Sequence, residues 1–166
     1  SSVMAVPKIE KVTINTGFGK LISGKTGDDL RKSTEGILDD LSAVGGQRAV
    51  AKKAKKPIAG FKIREGLAVG AKITLRGTKM YDFLDRFVHV VLPRSRDFQG
   101  IERTVVDGEG NMTVGIKEHI FFPEIAPEKV RNMFGLEVTI TATAKTREEG
   151  LELFSLLGFP IKKASI

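Results

Sequence analysis

Apolar and polar residues alternate through residues 8–15, where Ile9, Val12 and Ile14 mark the inward side and Lys11 is the irregular step. A period near two is the mark of a half-buried strand. A glycine-rich loop follows. Between residues 28 and 44 the spacing changes, and Leu30, Ile37, Leu38, Leu41 and Val44 recur at near-helical intervals. Asp28 and Asp29 suit the positive end of that helix, and Gly45-Gly46 suits its stop. Residues 47–53 read as a second strand and 68–76 as a third, separated by a long loop rich in Lys, Gly and Pro. Thr78 is placed to cap a helix reaching about Val91, with Met80, Phe83, Leu84, Phe87 and Val88 on one side and Pro93 as its stop. Residues 101–122 read as a hairpin turning over 107–111, and residues 127–132 as a short helix. Residues 136–144 alternate cleanly as a strand. Thr146 caps a last helix over 147–157, ended by Gly158 and Pro160. Helices and hairpins are mixed, with no repeat or linker. This predicts a single α+β domain over residues 1–166, its sheet mostly antiparallel and its helices packed on one face.

Composition narrows the function. The chain has 166 residues, 41% hydrophobic and 28% charged, which is ordinary for a globular protein with one core. No apolar run approaches the ~20 residues of a membrane span, and no signal peptide is recognisable, so no membrane partner is expected. The absence of cysteine excludes disulfides, thiolate metal sites and cysteine nucleophiles. Net charge is +7 and unevenly spread. Residues 45–103 hold 14 Lys+Arg against 5 Asp+Glu, whereas the remainder holds 13 against 15. A basic middle on a near-neutral body predicts a face built for a polyanion.

One short motif competes with that reading. "GKLISGKT", residues 19–26, fits the P-loop pattern, in which backbone N–H groups wrap phosphates, the lysine reaches the outer phosphates and the hydroxyl holds Mg²⁺. The rival function is therefore a small phosphohydrolase using Lys25 and Thr26. A working P-loop also needs parallel βαβ units and a second strand ending in a metal-holding Asp. Here "KITLRG" and "LEVTITATA" end in Arg and Lys-Thr, and Asp107 falls in a turn, where Asp is an ordinary residue. His89 and His119 are isolated and read as hydrogen-bonded structural residues. Asp28-Asp29 and Asp39-Asp40 are adjacent on a helix and do not face one another. No catalytic residue, metal ligand or cofactor is expected, and the protein reads as a non-enzyme.

Longer phrases say more. "VPKIEKVTIN", "AKKPIAGFKIREGLAVGAKITLRGTKMYDFLDRF", "LPRSRDFQG", "GIKEHIFFPEI" and "TREEGLELFSLLGFP" follow one another along the chain. In them the sequence resembles the bacterial-type large-subunit ribosomal protein five, the universal 5S rRNA-binding family. The resemblance implies a concave antiparallel sheet backed by helices. It implies a place in the central protuberance of the large subunit, binding 5S rRNA and touching 23S rRNA, with large-subunit protein eighteen nearby. A basic loop would reach the P-site tRNA, and another surface would help bridge to small-subunit protein thirteen. The implied address is the ribosome in the cytoplasm, with an organellar ribosome as the alternative.

By the same resemblance the 5S rRNA contacts fall on Lys11, Asn15, Gln47, Phe61 and Thr74. Their chemistry suits RNA: an amine for a phosphate, amides and a hydroxyl for sugar or base edges, a ring for stacking. A lone Phe between Gly60 and Lys62 in a basic loop favours exposure over core packing. Lys55, Lys56, Lys62 and Arg64, in the loop 54–66, match the tRNA-contacting segment. Two departures stand out. The helix that usually precedes "VPKI" does not stand before it here, where the sequence opens on Ser rather than Met and reads as trimmed, and the loop after "INTGFG" is longer than in familiar members. The P-loop match lies inside that extension and reads there as a flexible basic loop.

Overall fold

A computed structural model describes residues 2–96 and 98–163. Among them are the strands β1 (Ile9–Gly17), β2 (Val50–Lys53), β3 (Ala68–Leu75), β4 (Met112–Ile116) and β5 (Leu136–Ala142). They form an antiparallel sheet in the order β2-β3-β1-β5-β4. The α-helical segments among the described residues are α1 (Gly19–Ile22), α2 (Gly27–Gly45), α3 (Gly77–Arg86), α4 (Leu92–Arg94) and α5 (Arg147–Leu156). This is the α+β class that the pattern predicts. The chain divides into two compact units, one of Ser1–Thr13, Thr74–Gly115 and Val138–Ile166, the other of Ile14–Ile73 and Ile116–Glu137.

In the first unit, α3 starts at Gly77 with Arg76 as its N-cap and no side-chain cap, so Thr78 lies inside the helix instead of capping it. Met80, Phe83 and Leu84 are buried, and Phe83 stacks on Phe87 at 5.8 Å. Pro93 does not stop this run. A π turn over Phe87–Val91 intervenes, closed by the Leu92 N–H donating to the Phe87 carbonyl, and Pro93 sits within α4. In a regular helix the Pro93 ring would strike the His89 carbonyl; widening the turn relieves that clash. The expected hairpin is also reduced, to one bridge between Val106 and Met112. Its turn is organised by Asp107, whose Oδ1 accepts the N–H groups of Glu109 and Asn111 at 2.9 Å. Burial pushes the Asp107 carboxyl up, but the hydrogen bonds from Asn111, Glu109 and Gly110 outweigh it and hold it below its ordinary value. The Thr146 cap is as expected: its hydroxyl accepts the Glu149 N–H at 3.3 Å. Four residues into the capped segment, Gly150 meets Gly110, and a Cβ built at Gly150 would lie 2.5 Å from the Gly110 Cα and 2.6 Å from its carbonyl oxygen.

In the second unit, Ser33, Ile37, Leu41 and Val44 line the buried side of α2 at steps of four and three. Gly46 ends the helix at φ 66°, a left-handed geometry that glycine adopts without a Cβ clash. The glycine-rich loop after β1 contains a helical turn, α1. Phe18 and Ile22, four apart, are both buried, and the N–H groups of Leu21 and Ile22 donate to the Phe18 carbonyl. His119 is fully buried, stacked on Phe134 at 3.9 Å and 9°. Its Nδ1 accepts the Phe134 N–H at 3.4 Å, which leaves the proton on Nε2, 3.3 Å from the Asp40 carboxylate. Burial pulls this imidazole below its ordinary 6.5, against the opposing pull of the Asp40 charge and hydrogen bonds.

Two measurements test these packings. Gly150→Ala places a methyl against backbone that has no room to yield, and urea unfolding should show a loss of about 3 kcal/mol; a loss below about 0.5 kcal/mol would refute the close approach. His119 has a depressed folded pKa, so its contribution is complete above 6.5 and is lost as pH falls from there through the folded value. The stability gap between wild type and His119→Gln should therefore narrow below pH 6.5; a constant gap would contradict a neutral buried imidazole.

Candidate nucleic-acid interface

The candidate interface is built on β2, β3 and the loop between them, all in the second unit except Thr74 and Leu75 at the end of β3. β2 pairs antiparallel with β3, Val50 opposite Lys72, Ala51 opposite Ala71 and Lys52 opposite Gly70, with the register shifting between Lys52 and Lys53. Opposed residues share a face, so the buried Ala71 and Ile73 keep Lys72 outward. The shift leaves Lys52 and Lys53 both exposed, although they are consecutive in the strand.

The loop is an ordered narrow turn. At its base the Ala54 N–H donates to Leu67 at 2.8 Å and the Gly66 N–H to Ala54 at 2.9 Å. At its tip Ile58 and Ile63 exchange N–H···O bonds of 3.0 and 3.1 Å. Ile63 is buried and anchors the tip, while Ile58 and Phe61 are 47% and 43% exposed. Lys55, Lys56, Lys62 and Arg64 are exposed around them, beside one acidic residue, Glu65. Lys62 has φ 51°, the only positive φ of a non-glycine among the described residues. The resulting tip carries two part-exposed apolar side chains in a loop with four exposed cations, its turn closed by the Ile58–Ile63 pair. That is the makeup of a surface that stacks on bases and neutralises phosphates.

The remaining candidates divide between the units. Asn15 is exposed on β1. Gln47 is exposed just after the Gly46 turn, where the buried Ala49 donates its N–H to Ser42 Oγ at 2.9 Å and so fixes the segment to α2. Together with the loop these belong to the second unit. Lys11 and Thr74 belong to the first, half-buried on β1 and β3, where Arg76 pairs with Glu10 at 3.6 Å.

Residues 19–26 have a different geometry from a phosphate cradle. Lys25 Nζ is 2.8 Å from Ser33 Oγ, and the Lys25 N–H donates to the Ile22 carbonyl. Asp28 and Asp29 occupy the first turn of α2, where a phosphate would otherwise sit. The segment instead leans on the basic loop. Ser23 Oγ donates to the Phe61 carbonyl at 2.7 Å, and Lys20 Nζ lies 6.0 Å from the Phe61 ring centroid. Sequence reasoning missed this pairing, since Ser23 and Phe61 are 38 positions apart and the chain between them carries no local signal of it. Asp40 is engaged with His119, and no group of three or more His, Cys, Asp or Glu able to hold a metal occurs among the described residues. Nor is any described helix long and apolar enough to cross a membrane.

Comparison with known proteins agrees with the phrases quoted above. Residues 2–64 match the family model described as ribosomal protein L5, and residues 68–161 match the model of that ribosomal family's C-terminus. The large ribosomal subunit protein uL5 of Syntrophomonas wolfei subsp. wolfei (strain DSM 2245B / Goettingen) is 47% identical over 161 residues, covering 97% of this chain and 87% of that protein. With both family models spanning nearly the whole length, the chain belongs to the ribosomal protein L5 family, a family of structural and non-enzymatic proteins of the large ribosomal subunit.

Proposed function

We propose that the chain binds 5S rRNA in the central protuberance of the large subunit, contacts 23S rRNA and the P-site tRNA, and helps bridge to the small subunit. Its protein neighbours on this reading are large-subunit protein eighteen and small-subunit protein thirteen, and its place is the cytoplasmic ribosome. The observation that carries the proposal is the ordered basic loop with Phe61 exposed at its tip. A stiff loop loses little entropy on docking, and it offers a half-exposed ring for stacking on one RNA and exposed cations for the backbone of another.

Two surfaces share the work. Lys11, Asn15, Gln47, Phe61 and Thr74 meet 5S rRNA. Lys11 meets a phosphate, Asn15, Gln47 and Thr74 bond sugars or base edges, and Phe61 stacks. Lys55, Lys56, Lys62 and Arg64 meet the tRNA backbone, where charge without base reading serves a site that must accept every tRNA.

The first test is equilibrium binding to 5S rRNA across a salt series, against an unrelated structured RNA of equal length. Tight binding that resists the competitor is expected; equal, steeply salt-dependent binding of both RNAs would leave only a generic basic surface. Phe61→Ala should weaken 5S rRNA binding by about 1–3 kcal/mol, the value of an aromatic–base stack. Unchanged affinity in a folded variant would remove Phe61 from the contact. Lys55→Ala and Lys56→Ala should leave binding of isolated 5S rRNA nearly intact, and a large loss there would show that the two surfaces are wrongly divided.

A further inference from the structure

The carbonyl that accepts from Ser23 belongs to the peptide joining Phe61 to Lys62. The orientation of that peptide plane is set by the Phe61 ψ and the Lys62 φ, and the Lys62 φ of 51° is a left-handed value that lysine rarely adopts. A residue in such a conformation persists where its surroundings over-determine it. Three contacts do so here. The Ile58–Ile63 pair closes the turn, the Lys62 N–H donates to Ala59 at 3.1 Å, and the Ser23 hydroxyl holds the Phe61 carbonyl from outside the loop. The supporting segment is itself set close: a Cβ on Gly19 would lie 3.1 Å from the Ile63 Cδ1, and the Phe18 N–H donates to Val69 at 2.8 Å. Lys20 brings its ammonium toward the Phe61 ring. A cation at 6.0 Å lies at the outer reach of a cation–π contact.

We infer that Ser23 is a positioning residue for RNA recognition: through the Phe61 carbonyl it holds the strained Phe61–Lys62 peptide, so that the ring and the Lys62 amine are presented to RNA already ordered. Lys20 adds a cation beside the same ring. The segment with the P-loop pattern thus serves as a buttress of the basic loop. This rests on the assignment of Phe61 to 5S rRNA, and it goes beyond that assignment by naming what orients the ring.

The test uses the full chain in two readouts. In the free protein, amide hydrogen exchange at Phe61, Lys62 and Ile63 should quicken in Ser23→Ala and return toward wild type in Ser23→Thr, which keeps the hydroxyl. Against 5S rRNA, Ser23→Ala should weaken binding about fivefold, as for the loss of one neutral hydrogen bond. Ser23→Thr should restore it, and Ser23→Ala should add nothing in a Phe61→Ala background. Unchanged exchange in Ser23→Ala overturns the inference whatever the RNA does. So does an equal added loss in both backgrounds, which would mean Ser23 acts apart from Phe61. If exchange quickens but Phe61→Ala binds RNA like wild type, the Phe61 assignment has failed and the inference falls with it, while the buttressing contact stands.

Discussion

The two-residue period of the strands is the constraint on which the display of charge depends. In β3, Ala71, Ile73 and Leu75 are buried and Lys72 is exposed; in β1, Ile14 and Thr16 are buried and Asn15 is exposed. A slip of one residue would exchange the two sets and bury Lys72, and an unpaired buried ammonium costs several kcal/mol. The apolar set therefore fixes which cations face outward. β1 breaks the rule once, with Ile9 and Val12 both buried at a spacing of three, and the interval holds Glu10 and the half-buried Lys11. The outward-facing chemistry of the strands is a by-product of core formation, which needs no separate stabilisation.

The loop between β2 and β3 cannot rely on a sheet and solves the same problem differently. Ile63 is its apolar anchor, the Ile58–Ile63 and Ala54–Leu67 bonds satisfy its backbone, and Ser23 reaches it from another part of the chain. A basic loop of this composition left to itself would sample many conformations and lose binding energy on ordering. Here the ordering is met on folding, by contacts inside one compact unit.

Much of this was legible in residue order. The alternation near β1 and β5, the helical spacing of Ile37, Leu41 and Val44, the Gly46 stop and the Thr146 cap each follow from a local rule that the structure obeys. The failures are where steric and side-chain detail beyond the period decides. Pro93 continues the helix because a π turn precedes it, and the strand before Asp107 shrinks to a bridge because that turn is held by side-chain bonds, with the Asn111 Oδ1 accepting the Ala142 N–H. In the candidate site, the concentration of Lys and Arg between residues 45 and 103 pointed to the basic loop and the strands that carry it. The Ser23–Phe61 and His119–Asp40 pairs lie 38 and 79 residues apart, and nothing in local composition marks them.

β2 ends the strand order, so among the described residues one of its sides has no strand beside it. An open strand edge is a template on which a second chain can add. Lys52 and Lys53, side by side at the register shift, place two charges and a kink on that edge. Two copies brought edge to edge would set lysine against lysine, whereas a phosphate backbone would find the same pair attractive. The two lysines at the register shift thus guard the edge against pairing with a second copy.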